Sequence, residues 1–489
     1  MKKIKNNLKF NLIFQTLYQL LETCIPLITA PYLSRTLGAE RLGVFSYTSS
    51  IVAFFALFAM LGTQNYGTKS IASVNKDIDK RSKLFFEIYG FQLIVCAISI
   101  IAYILYLVFF CNENKLISTV QILTLVGCIF NINWFFFGME QFKVTVSVNS
   151  VIRVVSVIFI FLFVKKPSDL WVYSLIILSS TCVSHIYLFG KVENYIHFRK
   201  TTLSDIFIHL RPNIVLFVPL LAMSVYHIMD KTMLGFISDY NQSGYYYNAD
   251  KIINITAGVI SGISTVLLPR MSYLVSNDRK DESVDLFCLS LESTVMAASA
   301  MSFGIATISK EFIPFFFGPG FQECIILTIT LSPVIIIKAF SFTARYQYLI
   351  PNNREYDFLV SVILGAIFNI ILNFLLIQKF GAMGAVIGTL IAELVACIWQ
   401  FIVLSKYIRI ISSIVESFSY IFIGVLMFFA VRVIANYLTY NLILNIFIEI
   451  IFGIVVYTVL CLIYWNYTDS NIGNYIRLNY LVKNKIFKR

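Results

Sequence analysis

The sequence predicts an all-α polytopic membrane protein of about fourteen transmembrane helices: two six-helix lobes in a parallel pseudo-two-fold repeat, then two more helices. Three observations carry this. Of 489 residues, 58% are hydrophobic and 13% charged, about half the charge of a soluble chain, and mean hydropathy is +0.80. Apolar runs of about 20 residues, enough to cross the hydrocarbon core, recur from end to end. Lys and Arg crowd into alternate joints. Length alone would read as about three soluble domains, but composition overrides it. The formal net charge of +12 belongs to the joints and is not a nucleic-acid signal.

In order, the spans are 8–30, 43–64, 84–110, 117–137, 148–164 and 171–189 for the first lobe. The second lobe has 212–237, 245–268, 287–309, 323–345, 355–377 and 384–404, and 417–435 and 442–466 follow it. The first run starts basic (Lys2, Lys3, Lys5, Lys9). From Leu8 to Ala30 it is too long for a signal-peptide core and is interrupted by Glu22, so it is expected to be retained. The domain division that follows is 1–190, a basic linker 191–211, 212–405, and 406–489 with a basic tail. No joint is long enough for a folded soluble domain.

The joints fix orientation. One side holds Lys69, Lys76, Lys80, Arg81 and Lys83, then Lys191, Arg199, Lys200 and Arg211, then Arg270, Arg279 and Lys280, then Lys406 and Arg409. The tail adds Arg477, Lys483, Lys485, Lys488 and Arg489 to that side. The other side holds only Arg35, Arg41, Lys115, Lys165, Lys166, Lys310 and Lys379. Positive joints stay inside, so both termini are expected in the cytoplasm. The nine cysteines are scattered without C-x-x-C spacing and read as buried thiols.

Two joints echo each other. Arg35-Thr36-Leu37-Gly38 runs to Gly43 and on to Phe45 and Tyr47; Lys231-Thr232-Met233-Leu234-Gly235 runs to Gly244 and Tyr245 to Tyr247. Both fall on the outer side, between the first and second spans of each lobe, which describes a parallel repeat. The first span of each lobe carries prolines, Pro26 and Pro31 against Pro212 and Pro219. Interrupted helices at matching places point to gating. The candidate hinges are therefore Pro26, Pro31, Gly38, Gly43, Pro212, Pro219, Gly235 and Gly244.

Pro31 to Gly38 with Gly43, Trp134-Phe135-Phe136-Phe137-Gly138-Met139-Glu140-Gln141-Phe142-Lys143, and Asp230 to Gly235 together resemble the polysaccharide-transporter family. These are the Wzx-type flippases of O-antigen, capsule and exopolysaccharide repeat units, in the superfamily that also holds multidrug/cation antiporters and the peptidoglycan lipid flippase. Gly381 to Ala385 and Gly318-Pro319-Gly320 fit the same pattern, and the resemblance covers essentially the whole chain. It implies alternating access, a lipid-diphosphate-linked oligosaccharide as cargo, and a bacterial cytoplasmic membrane as its place. It also implies a polysaccharide polymerase and a chain-length regulator as partners. The alternative within the superfamily is a multidrug/cation antiporter; a membrane polymerase or ligase is a further one, against which the short outer joints count.

A charge at the bilayer centre costs ~2.5–3.5 kcal/mol on insertion scales, so charged residues in spans usually face a cavity or a partner. The spans hold Glu22, Arg153, Asp230, Lys231, Asp250, Lys251, Lys338, Arg345, Glu393 and Arg432. Their cations could meet a diphosphate as it leaves water. Arg153, Lys338, Lys251, Lys231 and Arg345 are the candidates for binding it, with Arg153 and Lys338 set deepest. Glu22, Glu393, Asp230 and Asp250 are the candidates for ion coupling, since a desolvated carboxyl can exchange a proton. Arg432, in the peripheral pair of spans, reads as structural or interfacial. His185 and His227 read as interhelical hydrogen-bonders.

No catalytic residue, metal site or cofactor is expected. There is no glycine-rich phosphate loop for ATP, which leaves protons or sodium to drive transport. Asp77-x-Asp79 looks like a glycosyltransferase D-x-D, but beside Lys76 and Lys80 it reads as a solvated charge cluster.

Overall fold

The computed structural model describes the backbone of residues 2–468 and 470–474, and their side chains except those of residues 2–23, 226 and 227. The side chains of Glu22 and His227 and the basic tail from Arg477 onward therefore lie outside the described residues. Helices make up almost everything described, with no strand among them. Thirteen are long and apolar enough to cross a membrane. This is a multi-pass membrane protein.

By contact density the chain divides into two compact units, Met1–Gly244 and Tyr245–Arg489. The first holds α1 (Lys2–Met60), α2 (Thr63–Val74), α3 (Ile78–Phe109), α4 (Lys115–Val120), α5 (Ile122–Ile129) and α6 (Asn133–Gly138). It continues with α7 (Phe142–Phe163), α8 (Leu170–Lys191), α9 (Leu203–Phe207), α10 (Leu210–Ile237) and the first turn of α11 (Tyr240–Val266). The 191–211 linker lies inside this unit, as does α10, which packs along α1.

Span 8–30 and span 43–64 as far as Met60 fall within α1, and one candidate membrane helix, Cys24–Val74, covers this stretch, which explains thirteen against the expected fourteen. The helix breaks only at Gly38, with φ 77° and ψ 172°. That region of backbone space is open essentially to glycine alone. Span 117–137 is three short helices, α4 to α6. Such breaks survive in a membrane only where other groups take up the freed carbonyls. Gln92 of α3 does this, its Nε2 donating to Cys128 O at 2.7 Å and Asn131 O at 3.1 Å, while its Oε1 accepts from Trp134 Nε1 at 2.9 Å. Trp134, Phe135 and Phe136 are fully buried against Phe85 and Ile71. The aromatic motif is a packing core.

The second unit continues with α12 (Leu268–Ser276), α13 (Lys280–Phe317), α14 (Glu323–Leu331) and α15 (Pro333–Ala344), then a π-helical turn, Arg345–Leu349. It ends with α16 (Glu355–Phe380), α17 (Ala382–Ser405), α18 (Ile411–Ala435) and α19 (Leu442–Tyr467). Pro333 breaks the expected span 323–345 between α14 and α15; the Ile329 carbonyl it frees accepts from the Ser332 hydroxyl at 2.9 Å, and Ser302 of α13 donates to the Ser332 carbonyl at 2.8 Å. The last two helices pack on α13 around Tyr420, Met427 and Tyr457.

Candidate functional site

In the second unit, three helices bring charged residues together. On α11, Asp250 and Asn254 lie one turn apart on one face, and Asn254 Nδ2 donates to Asp250 Oδ1 at 2.6 Å. Lys338 of α15 donates from Nζ to Asn254 Oδ1 at 3.0 Å, and the same Nζ lies 3.5 Å from Glu393 Oε1 of α17. One turn back along α11 and α17, Tyr246 and Thr389 are hydrogen-bonded at 3.0 Å, which holds those two helices in register.

Electrostatics make this arrangement consequential. Lys338 is 9% exposed and Glu393 7%. Taking either ion out of water alone costs several kcal/mol, so each is held by the other. Asn254 couples the pair outward, since its amide oxygen accepts from Lys338 while its amide nitrogen serves Asp250. Asn254 itself is exposed, so the chain of contacts runs from an accessible face to a buried carboxylate. Among the described residues, no group of three His, Cys, Asp or Glu is placed to hold a metal.

The other expected cations stand elsewhere. Lys251 lies over the Tyr247 ring at 4.5 Å. Arg345 sits in the π-helical turn, stacked on Phe358 at 4.2 Å and Tyr346 at 4.9 Å. Arg432 bonds Glu311 Oε2 at 2.9 Å and Thr307 O at 3.0 Å. In the first unit, Arg153 lines a small polar cavity of about 110 Å³ with Asn133, Asn149, Ser180, Ser184 and His185. His185 Nδ1 lies 2.9 Å from the Gly127 carbonyl, an interhelical bond. Asp230 is buried, with Lys231 beside it on α10.

The expected hinges fall into two groups. Gly38, Gly43, Gly235 and Gly244 lie where α1 meets α10 and the start of α11. A Cβ on Gly43 would overlap the Tyr240 carbonyl oxygen, and one on Gly244 would overlap the Ala39 carbonyl oxygen. A Cβ on Gly235 would run into the Tyr47 ring. The two echoing joints thus touch each other reciprocally, with 201 residues separating both Ala39 from Tyr240 and Gly43 from Gly244. The prolines are less uniform. Pro26 and Pro31 lie inside α1 and Pro219 inside α10, whereas Pro212 falls in the first turn of α10, where no intrahelical donor is lost.

Three acids in apolar runs went unnoticed in the sequence: Glu87, Glu292 and Glu449. Glu87 of α3 faces His209 Nε2 at 3.2 Å, and the His209 Nδ1 lies 2.7 Å from the Tyr66 hydroxyl. Glu292 is fully buried and, like Glu416, accepts from Asn471. The rule that singled out Glu393 applies to all three. Asp77 caps α3, accepting from Asp79 N and Lys80 N, both at 3.1 Å.

The family model described as "Polysaccharide biosynthesis protein" matches residues 8–275. An Escherichia coli (strain K12) protein bearing the name of an O-antigen transporter is 26% identical over 400 residues, covering 80% of this chain and 94% of its own length. The lipid II flippase MurJ in an inward closed conformation superposes with a TM-score of 0.74 at 17% identity, over 94% of this chain and 99% of that one. An inward-facing multidrug resistance MATE family transporter of the MOP superfamily superposes at 0.51 and 14% identity, over 79% and 95%. At such identities the structures establish the fold.

Proposed function

Because the chain belongs to the polysaccharide biosynthesis protein family, we propose that it is a flippase for undecaprenyl-diphosphate-linked oligosaccharide repeat units. It moves them from the cytoplasmic to the outer leaflet of the bacterial cell membrane, with both termini in the cytoplasm, for O-antigen, capsule or exopolysaccharide assembly. The relative named for O-antigen transport matches most of both chains, which supports this cargo class.

The observation that carries the reading is Lys338, a buried cation held between Glu393 and an accessible asparagine. A diphosphate oxygen is a stronger ligand for an ammonium than an amide is, because both partners are then charged. When the cargo's diphosphate takes Lys338, Glu393 loses its counter-charge inside the protein and gains affinity for a proton. Cargo binding and proton uptake then favour each other, which supplies coupling without ATP. A polymerase and a chain-length regulator would receive the product.

Deleting the gene should strand lipid-linked repeat units on the inner leaflet and remove surface glycan, with restoration by the wild-type chain and not by Lys338→Ala. Unchanged surface glycan in the deletion strain, with no second flippase present, contradicts the reading. A cation antiporter on the same fold would need the carboxylate of Glu393 and not the ammonium. Drug resistance that survives Lys338→Ala would favour it.

A further inference from the structure

The second unit holds a cavity that the Lys338 network does not use. It measures about 380 Å³ and lies among α11, α13, α18 and α19, walled by Met301, Ile305, Ile308, Met427, Ile454 and Tyr457. That volume is in the range of small-molecule sites. Into its apolar wall comes a carboxylate, Glu449 of α19, 2% exposed. Its Oε2 is buried with no hydrogen-bond partner among the described residues.

Glu449 is the single charged residue of α19, seven residues into the helix from Leu442. At ~1.5 Å per residue this puts it about 10 Å along the span, too far for a short acidic side chain to reach water. The nearby charges do not satisfy it. Arg432 of α18 spends Nη1 on Glu311 and on the Thr307 carbonyl. Arg432 is thus committed to Glu311, and Glu449 forms no ion pair among the described residues.

We propose that this cavity binds a lipophilic cation, an ammonium whose charge meets Glu449 and whose apolar body fills the space between Ile305 and Met427. A hydrocarbon alone would fill the volume and leave the Glu449 carboxyl without a partner, whereas an ammonium would meet it with the opposite charge. A lipophilic ammonium satisfies both parts of the site. Entry from the bilayer is open, because Ile450 and Ile454 of the same helix are exposed at 39% and 62%. The proposal does not depend on the flippase reading.

The test uses the full-length protein in lipid nanodiscs with two fluorescent probes, dansylcadaverine and its N-acetyl derivative, which keeps the shape and loses the charge. Dansylcadaverine should bind saturably, with at least tenfold weaker binding of the acetylated probe and of dansylcadaverine to Glu449→Gln. Ile454→Trp, which fills the cavity, should weaken dansylcadaverine binding as well, and serves as the second variant should Glu449→Gln melt early. Asp281→Asn, at an exposed acid near the start of α13, should bind as the wild type does. Equal affinity for the two probes, unchanged binding by Glu449→Gln, loss of binding in Asp281→Asn, or no saturable binding would each overturn the proposal.

Discussion

Lys338 Nζ and Glu393 Oε1 lie 3.5 Å apart between α15 and α17, both side chains almost wholly buried. Removing one partner of such a pair leaves an uncompensated ion, at a cost of about 3–5 kcal/mol, while replacing both by apolar residues is often neutral. Lys338→Met alone should therefore lower the melting temperature. Lys338→Met with Glu393→Leu should restore it and still fail to export glycan. Export by the stable double variant would show that the pair serves packing only.

The reciprocal contact of Gly43 with Tyr240 and Gly244 with Ala39 leaves no room for side chains. Gly43→Ala should drive α1 and the start of α11 apart at this point, abolishing export while the protein still reaches the membrane. Spin labels at Arg41 and Gln242 should report a longer distance in the variant than in the wild type. An unchanged distance would mean that the backbone absorbs the methyl group without opening. Gly38→Ala should act at the α1 break and cost about 1–3 kcal/mol, because φ of 77° with ψ of 172° is strained for any other residue.

Asp77 and Asp79 separate a structural from an enzymatic reading. The backbone N–H of Lys80, then the Lys80 side chain and the N–H of Asp79, hold the Asp77 carboxyl below its ordinary value. A depressed value in the folded state means that the cap contributes at neutral pH and is lost as pH falls through it, below about 4. Asp77→Asn retains a capping oxygen and should leave surface glycan unchanged at neutral pH. Loss of glycan with normal protein level would reopen a glycosyl-transfer role.

Arg345 places its guanidinium carbon 4.2 Å from the centre of the Phe358 ring, a cation–π contact for which a planar guanidinium is better suited than an ammonium. Arg345→Lys keeps the charge and should still lose about 0.5–2 kcal/mol of stability. Melting in nanodiscs reads this directly. An unchanged melting temperature would return Arg345 to the list of cations available to cargo.

Much of the bundle was legible because a membrane imposes one rule on every span: the right length of apolar chain, with basic residues left in alternate joints. The Gly38 break was also visible, since two glycines in a polar seam have few other uses. Breaks inside spans were not. Nothing local to 117–137 announces that Gln92, on another helix, will take up its carbonyls. Nor could hydropathy pair residues across helices. Lys338 and Glu393 each stood out as a charge in an apolar run, but their partnership depends on how α15 and α17 pack, which a single sequence does not encode locally. Glu449 shows the opposite failure: the signal was plain and local, one charge in an apolar span.

The most direct test of the account is leaflet transfer in proteoliposomes that contain only this chain and an undecaprenyl-diphosphate-linked oligosaccharide. A membrane-impermeant glycosidase added outside reports how much cargo reaches the outer leaflet. The account predicts that the wild type exposes nearly the whole pool when a proton gradient is applied, while Lys338→Ala leaves the inner-leaflet share protected. Equal protection in wild-type, Lys338→Ala and protein-free liposomes would contradict it.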